Sequence, residues 1–213
     1  MVLGVYHDNP SHHQIRADFV SRMQPRALVF EMLTAAQDKR SACVSHGDMH
    51  ALETALDWES GGWSSFEHYF PTFAAANEAI VLGAAVPHAQ ARLALSADLV
   101  DNFGSEVVRF GLAEPLPEHE QIARQAVQMA PHCDALPVQM LPGMVDIQRL
   151  RDGRLAQSAL NVIAFTGGPV AVITGNGQAR TDWGFAVCVL RADPSETLYS
   201  LAQPRQRRRL RGV

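Results

Sequence analysis

Short, continuously apolar β-rich runs separated by stretches of helical periodicity fill the chain, and that alternation admits few architectures. Residues 2–6, 27–32, 79–86 and 170–174 show little of the in/out polar alternation of a half-exposed strand, as expected for strands covered on both faces. Residues 185–190 read as a further strand, at an edge. Between the first two runs, Ile15, Phe19 and Met23 recur at i, i+4, i+8 behind Asn9 or Ser11 as N-cap and Pro10 in the first turn. That spacing predicts a helix over 11–23 and a βαβ unit. Residues 34–57 and 64–78 also read as helical, separated by Gly61 and Gly62, and 118–130 carries Ile122, Ala126 and Met129 on one face. A long helix runs from Met144 to Val162, with a break expected near Gly153. The fold class is α/β, a mostly parallel sheet flanked by helices on both faces, in a single domain over 1–198 with a basic tail over 199–213.

At 213 residues, 47% hydrophobic and 19% charged, the chain suits one globular domain and is too apolar for disorder. No apolar run approaches the roughly 20 residues of a membrane-spanning helix. Eighteen cationic against twenty-two acidic side chains argue against a nucleic-acid partner, which needs a surplus of positive charge. Arg205, Arg207, Arg208, Arg209 and Arg211 set the tail apart, and it reads as a solvated end. Cys43, Cys133 and Cys188, distant and odd in number, read as buried thiols. Met1 runs directly into an apolar strand without a secretory signal, so an export segment would have to lie upstream.

Familiar motifs fail one by one. Gly175-Asn176-Gly177 opens a dinucleotide fingerprint, but Arg180 stands at the third glycine. His119-Glu120 opens a zinc-helix pattern, but Ala123 stands where the second imidazole belongs. His46 and His50 share a spacing that puts two rings on one helix face, yet two ligands are too few for a metal and a solvated face is expected. What remains is a concentration of polar residues after the strands, where open parallel sheets bind ligands. Tyr6-His7-Asp8-Asn9 follows the first, Glu31 the second, Pro87-His88 the third and Asn176 to Arg180 the fourth, so they are expected in one pocket.

These residues carry a family resemblance. His7-Asp8-Asn9-Pro10-Ser11-His12-His13 resembles the His-Asp-Asn-x-x-His-His start of ChaN-type haem-binding proteins. Glu31, Trp58, Gly62-Trp63 with Tyr69 and Pro71, His132-Cys133, Gln148 with Arg151-Asp152, and Gly175-Asn176-Gly177 with Arg180 and Asp182 are similar to that family in sequence and order. The resemblance implies haem (haem b) as cofactor and a role in bacterial iron uptake at the cell envelope or periplasm. It also implies a flat ligand at the sheet's carboxyl edge or at the interface of a homodimer.

Ligand-binding candidates are His7, Asp8, Asn9, Glu31, His88, Asn176, Gln178 and Arg180, with Arg180 facing either a propionate or Asp182. Iron-ligand candidates are Tyr69, His7, His132 and Tyr6, since ferric haem accepts phenolate or imidazole, and Tyr69 is favoured because it matches a family position. Related Tiki-like and erythromycin-esterase-like proteins work through a pattern resembling Gly-Glu-x-His and a later histidine. Here Val5 and Gln178 stand at the acid and the second imidazole, and Ala85 and His88 replace an asparagine and an arginine. Neither Val5 nor Gln178 moves a proton, so a non-catalytic haem-binding protein is expected. A metal-dependent hydrolase or a decayed structural relative is the alternative.

Overall fold

The computed structural model describes residues 1–95, 98–130 and 136–204. Five strands, β1 (Val2–Val5), β2 (Ala27–Phe30), β3 (Ile80–Gly83), β4 (Val170–Gly175) and β5 (Ser200–Leu201), form one parallel sheet in the order β3-β2-β4-β1-β5. Helices α1 (Pro10–Met23), α2 (Ala35–Ser41), α3 (Met49–Leu56) and α4 (Phe66–Ala74) lie between β1 and β3 in the chain. They are followed by α5 (His88–Leu93), α6 (Leu99–Phe103), α7 (Glu118–Met129), α8 (Leu141–Thr166) and α9 (Phe185–Ala192).

Strand alternation builds a core on each side of the sheet. Leu3, Leu28, Phe30, Ala171 and Ile173 pack on Val20, Leu52, Leu56, Phe66, Tyr69 and Phe73, while Val2, Val29, Val170 and Val172 pack on Phe103, Leu150, Ala156, Phe185 and Val189. The central strand β4 pairs with β1 and β2, Val5 lying opposite Gly175 and Phe30 opposite Ile173. The chain leaves β1 through α1 toward one core and leaves β4 through α9 toward the other. Adjacent strands whose connections depart to opposite faces open a crevice at their carboxyl ends, and here it lies beside Gly175.

Several sequence expectations change. Residues 185–190 form α9 rather than a strand, because Phe185, Cys188 and Val189 recur at i, i+3, i+4 on the buried side while Leu190 is exposed. The edge strand is instead β5, which falls in the stretch assigned to the basic tail. Ser200 and Leu201 lie opposite Val2 and Leu3, and the buried Gln203 donates to the carbonyls of Gly4 and His12, so residues 199–204 belong to the domain. Residues 205–213, with the five arginines, lie outside the described residues.

The 34–57 stretch splits into α2 and α3, α2 starting at a Thr34/Gln37 capping box. His46 precedes α3 and is buried on the carbonyl oxygen of Ala76 at 2.9 Å, whereas His50 is exposed on α3, so the two do not share a helix face. Cys43 is exposed. The long helix α8 passes through Gly153 unbroken. A Cβ there would stand 2.6 Å from Leu112 Cδ1 and 2.9 Å from Phe103 Cε2, so the glycine serves close packing.

Two helices are present with their faces reversed from expectation. In α1 the apolar Ile15 and Phe19 are 41% and 38% exposed, and the buried face is His12, His13, Arg16, Ala17 and Val20. In α7 Ile122 is exposed and Arg124 is buried.

Candidate functional site

His7 follows β1 by two residues and is fixed by groups from α4, its preceding loop and α1. Its Nδ1 lies 2.7 Å from the Tyr69 hydroxyl, its ring packs 5.0 Å from that of Trp63, and its carbonyl oxygen accepts from Ser64 Oγ and His13 Nε2. His13 Nδ1 accepts from the Arg16 guanidinium at 2.8 Å, so the proton of this neutral ring sits on Nε2. Burial and the neighbouring Arg16 hold His13 down at about 3.

Arg16 itself is wholly buried. It donates to Thr72 Oγ1 at 3.1 Å and lies over the Tyr69 ring at 5.0 Å from its centroid. Its Nη1 has no partner among the described residues, and burial lowers the guanidinium to about 10. Burial keeps His7 below its usual pKa, with Glu31 pulling upward and Arg16 adding to the depression. The imidazole is therefore neutral near pH 7, the form that can bind a metal.

Glu31 closes β2 and reaches across to β4, where its Oε2 accepts from Thr174 Oγ1 at 2.5 Å and from the Gly175 amide at 3.0 Å. A Cβ on Gly175 would stand 2.8 Å from His7 Nε2 and 3.6 Å from Gln178 Oε1, so the glycine lets the His7 ring pack closely against the end of β4. Gln178 is held by donation from its Nε2 to Gln148 Oε1 on α8 at 3.2 Å. Among the described residues no group of three or more His, Cys, Asp or Glu could hold a metal ion.

A cavity of about 330 Å³ lies between the ends of β2 and β3. It is lined by Glu31, Thr34, Arg40, Asp57, Trp63, Ala85, Val86, His88 and Arg151 among others. The strand-end residues His7, Glu31, Gln178 and His88 therefore meet at one end of the sheet, His88 on the exposed start of α5.

The remaining candidates have other partners. Asn9 caps α1 through a 3.1 Å bond from the Ser11 amide, and Asp8 is exposed. Asn176 exchanges two hydrogen bonds with the backbone of Gln203 and so ties β4 to the segment after β5. Arg180 grips Asp182 with two donors, lies 3.8 Å over the Trp183 ring and lines a separate cavity of about 60 Å³.

Tyr69 is fully buried among Trp58, Phe66 and His13, its hydroxyl on His7 and its pKa raised to about 12 by burial. The Tyr6 amide lies 3.2 Å from His12 Nδ1, and the two rings are 5.8 Å apart. His132 lies outside the described residues.

Sequence reasoning passed over Arg16 and Arg40, and met Asp152 only within the family-like run Arg151-Asp152, without a role. Arg16 had one signal, its i, i+3 spacing from His13 on a helix face of small and polar residues. Asp152 is buried in α8 with Oδ1 unpartnered among the described residues. Burial lifts its carboxyl to about 8 against the pull of Arg124.

Over residues 1–189 the chain matches the family described as haem-binding uptake, Tiki superfamily, ChaN. Its fold is similar to a solved structure described as cofacial haem binding to ChaN of Campylobacter jejuni. The TM-score is 0.64 and the identity 16%, covering 89% of this chain and 75% of that one. No curated protein matches. Because the family match runs from β1 through most of α9, and so takes in every strand end that borders the crevice, the chain belongs to the ChaN haem-binding uptake family of the Tiki superfamily.

Proposed function

We propose that this protein binds haem b through the His7 imidazole at the carboxyl edge of the sheet and serves haem-iron uptake at the cell envelope without catalysing a reaction. The observation that carries the reading is the 2.7 Å contact between His7 Nδ1 and the buried Tyr69 hydroxyl. A ligating histidine characteristically has its second nitrogen held by a neighbour, which fixes the ring and its basicity. Nε2, the other nitrogen, faces the carboxyl end of β4 at Gly175.

The residues fit the group. A neutral imidazole suits the axial position of a haem iron, and Trp63, Ala85 and Val86 supply an apolar wall for a macrocycle. Haem would bring a ferric iron open to an axial ligand; the chain orients the ligand and limits water. A cavity of about 330 Å³ sits at the low end of the roughly 300–1,000 Å³ that ligand pockets span, so one chain encloses a porphyrin incompletely. A second copy covering the exposed face, as a homodimer, is the simplest completion.

Val5 is buried in the sheet and Gln178 presents a neutral amide, so neither supplies the acid and base of the related hydrolases. A place outside the cytoplasm accords with the family's uptake role, and among the described residues no helix is long and apolar enough to cross a membrane. Nothing in the charge balance favours nucleic acid.

Titration with haemin tests this directly. The wild-type protein should give a saturable Soret shift at micromolar haemin, His7→Ala should lose it, and Tyr69→Phe should keep it with affinity about 10–100-fold weaker. No saturable shift in the wild type removes the reading. Retention in His7→Ala with loss in Tyr69→Phe moves the iron to the phenolate.

A further inference from the structure

We propose that Arg151 and Arg40, facing one cavity from two different helices, form a clamp for the paired carboxylates of the ligand and make the protein selective for porphyrins with free propionates. The inference rests on the haem reading above. Arg151 on α8 is half-buried, and among the described residues its guanidinium makes no hydrogen bond or ion pair. Arg40 on α2 donates its Nε to the Ala55 carbonyl at 2.7 Å, which holds the side chain and leaves both terminal nitrogens for a ligand.

Each guanidinium presents a planar fork that matches a carboxylate with two donors. The cavity's own acids do not neutralise this pair. Glu31 has an oxygen committed to Thr174 and Gly175, Asp57 is exposed at the rim, and neither forms an ion pair with Arg40 or Arg151. His88 lines the same wall and adds a polar donor.

Arg180, the sequence candidate for a propionate, is already engaged by its own partners. Its two donors hold Asp182 and its face lies on Trp183, in the other cavity. The β2–β3 cavity is also the one walled by Trp63, whose ring packs on His7. A ligand whose carboxylates enter this cavity thus has its macrocycle beside the proposed iron contact.

The test compares haemin with haemin dimethyl ester, in which both carboxylates are masked while the iron and ring are unchanged. The wild-type protein should bind haemin roughly tenfold or more tightly than the diester, as expected for loss of charge-assisted pairs. Arg151→Gln and Arg40→Gln should lower haemin affinity toward that of the diester and leave diester binding unchanged, whereas Arg180→Gln should keep the full preference.

Equal affinity of the wild type for both ligands overturns the clamp while leaving haem binding in place, and no Soret shift with either ligand overturns the haem reading itself. If Arg180→Gln alone removes the preference, the carboxylates lie in the other cavity and the clamp is wrong. The wild-type comparison requires no variant to fold, and thermal melts of the variants separate misfolding from lost selectivity.

Discussion

Asp152 lies in the interior of α8 with 5% of its surface exposed, and its carboxyl is raised from 3.8 to about 8 by burial, with Arg124 opposing. The native state therefore holds a proton that the unfolded chain releases above pH 3.8. The stability from this site is complete below that value and is lost progressively as pH rises through about 8. Asp152→Asn removes the titration while retaining an acceptor for the Phe185 amide at the start of α9. It should match the wild type at pH 4 and exceed it by on the order of 3 kcal/mol at pH 9, measured by urea unfolding at both values. A difference that does not change with pH would refute this. Nothing in the sequence around Asp152 marks it as buried, since aspartate in a helix is ordinarily solvated. His7 and Glu31, by contrast, were legible because each lies within two residues of the end of an apolar strand, where a polar residue in a parallel sheet meets the ligand edge. The His7 and Tyr69 pairing was not, because 62 residues separate them and only the tertiary fold brings them together.

Elements repeat this division between what a local pattern carries and what packing decides. Four strands were readable as short apolar runs, but the same kind of run at 185–190 became α9, because length and apolarity do not separate a short strand from a buried helical turn. For α1 the period was right and the face was wrong. Its inner side is occupied by a hydrogen-bonded polar group of His12, His13 and Arg16, which hydrophobic periodicity treats as solvent-facing. The start of α1 also bears on the site. Asn9 was a ligand candidate, and its side chain accepts from the Ser11 amide as an N-cap. Asn9→Ala should cost about 1 kcal/mol of stability, with Asn9→Ser restoring most of it, and haemin affinity should stay within twofold of wild type. Loss of haemin binding in a variant that melts normally would return Asn9 to the ligand site.

At the scale of the whole molecule, the first and last of the described strands pair within one sheet. β5 pairs with β1, the Val2 amide donates to the Tyr199 carbonyl at 2.7 Å, and the terminal ammonium of Met1 donates to Val170 at 2.7 Å on β4. Strand order is a long-range property, and no local signal in residues 199–204 announces a strand of two residues, which is why this stretch read as the start of a tail. Its sequence is polar and its contribution comes from the partners it meets. Gln203 satisfies the carbonyls of Gly4 and His12, and its backbone pairs with the Asn176 amide in the loop beside the site. Removing these residues would strip the buried carbonyl of Gly4 of its Gln203 donor and leave the β1 edge facing β5 unpaired, which is costly. A chain ending at residue 204 keeps all of these contacts and serves as the reference. One ending at residue 198 should be less stable by on the order of 3 kcal/mol, through lost strand pairing and the unpaired Gly4 carbonyl. The shorter chain should also bind haemin more weakly, because Asn176 anchors the turn that carries Gly175 and Gln178 toward His7. Chemical denaturation and haemin titration of the two truncations decide the matter: equal stability would mean that β5 is an ornament on the edge of the sheet and that the site is held from β4 alone.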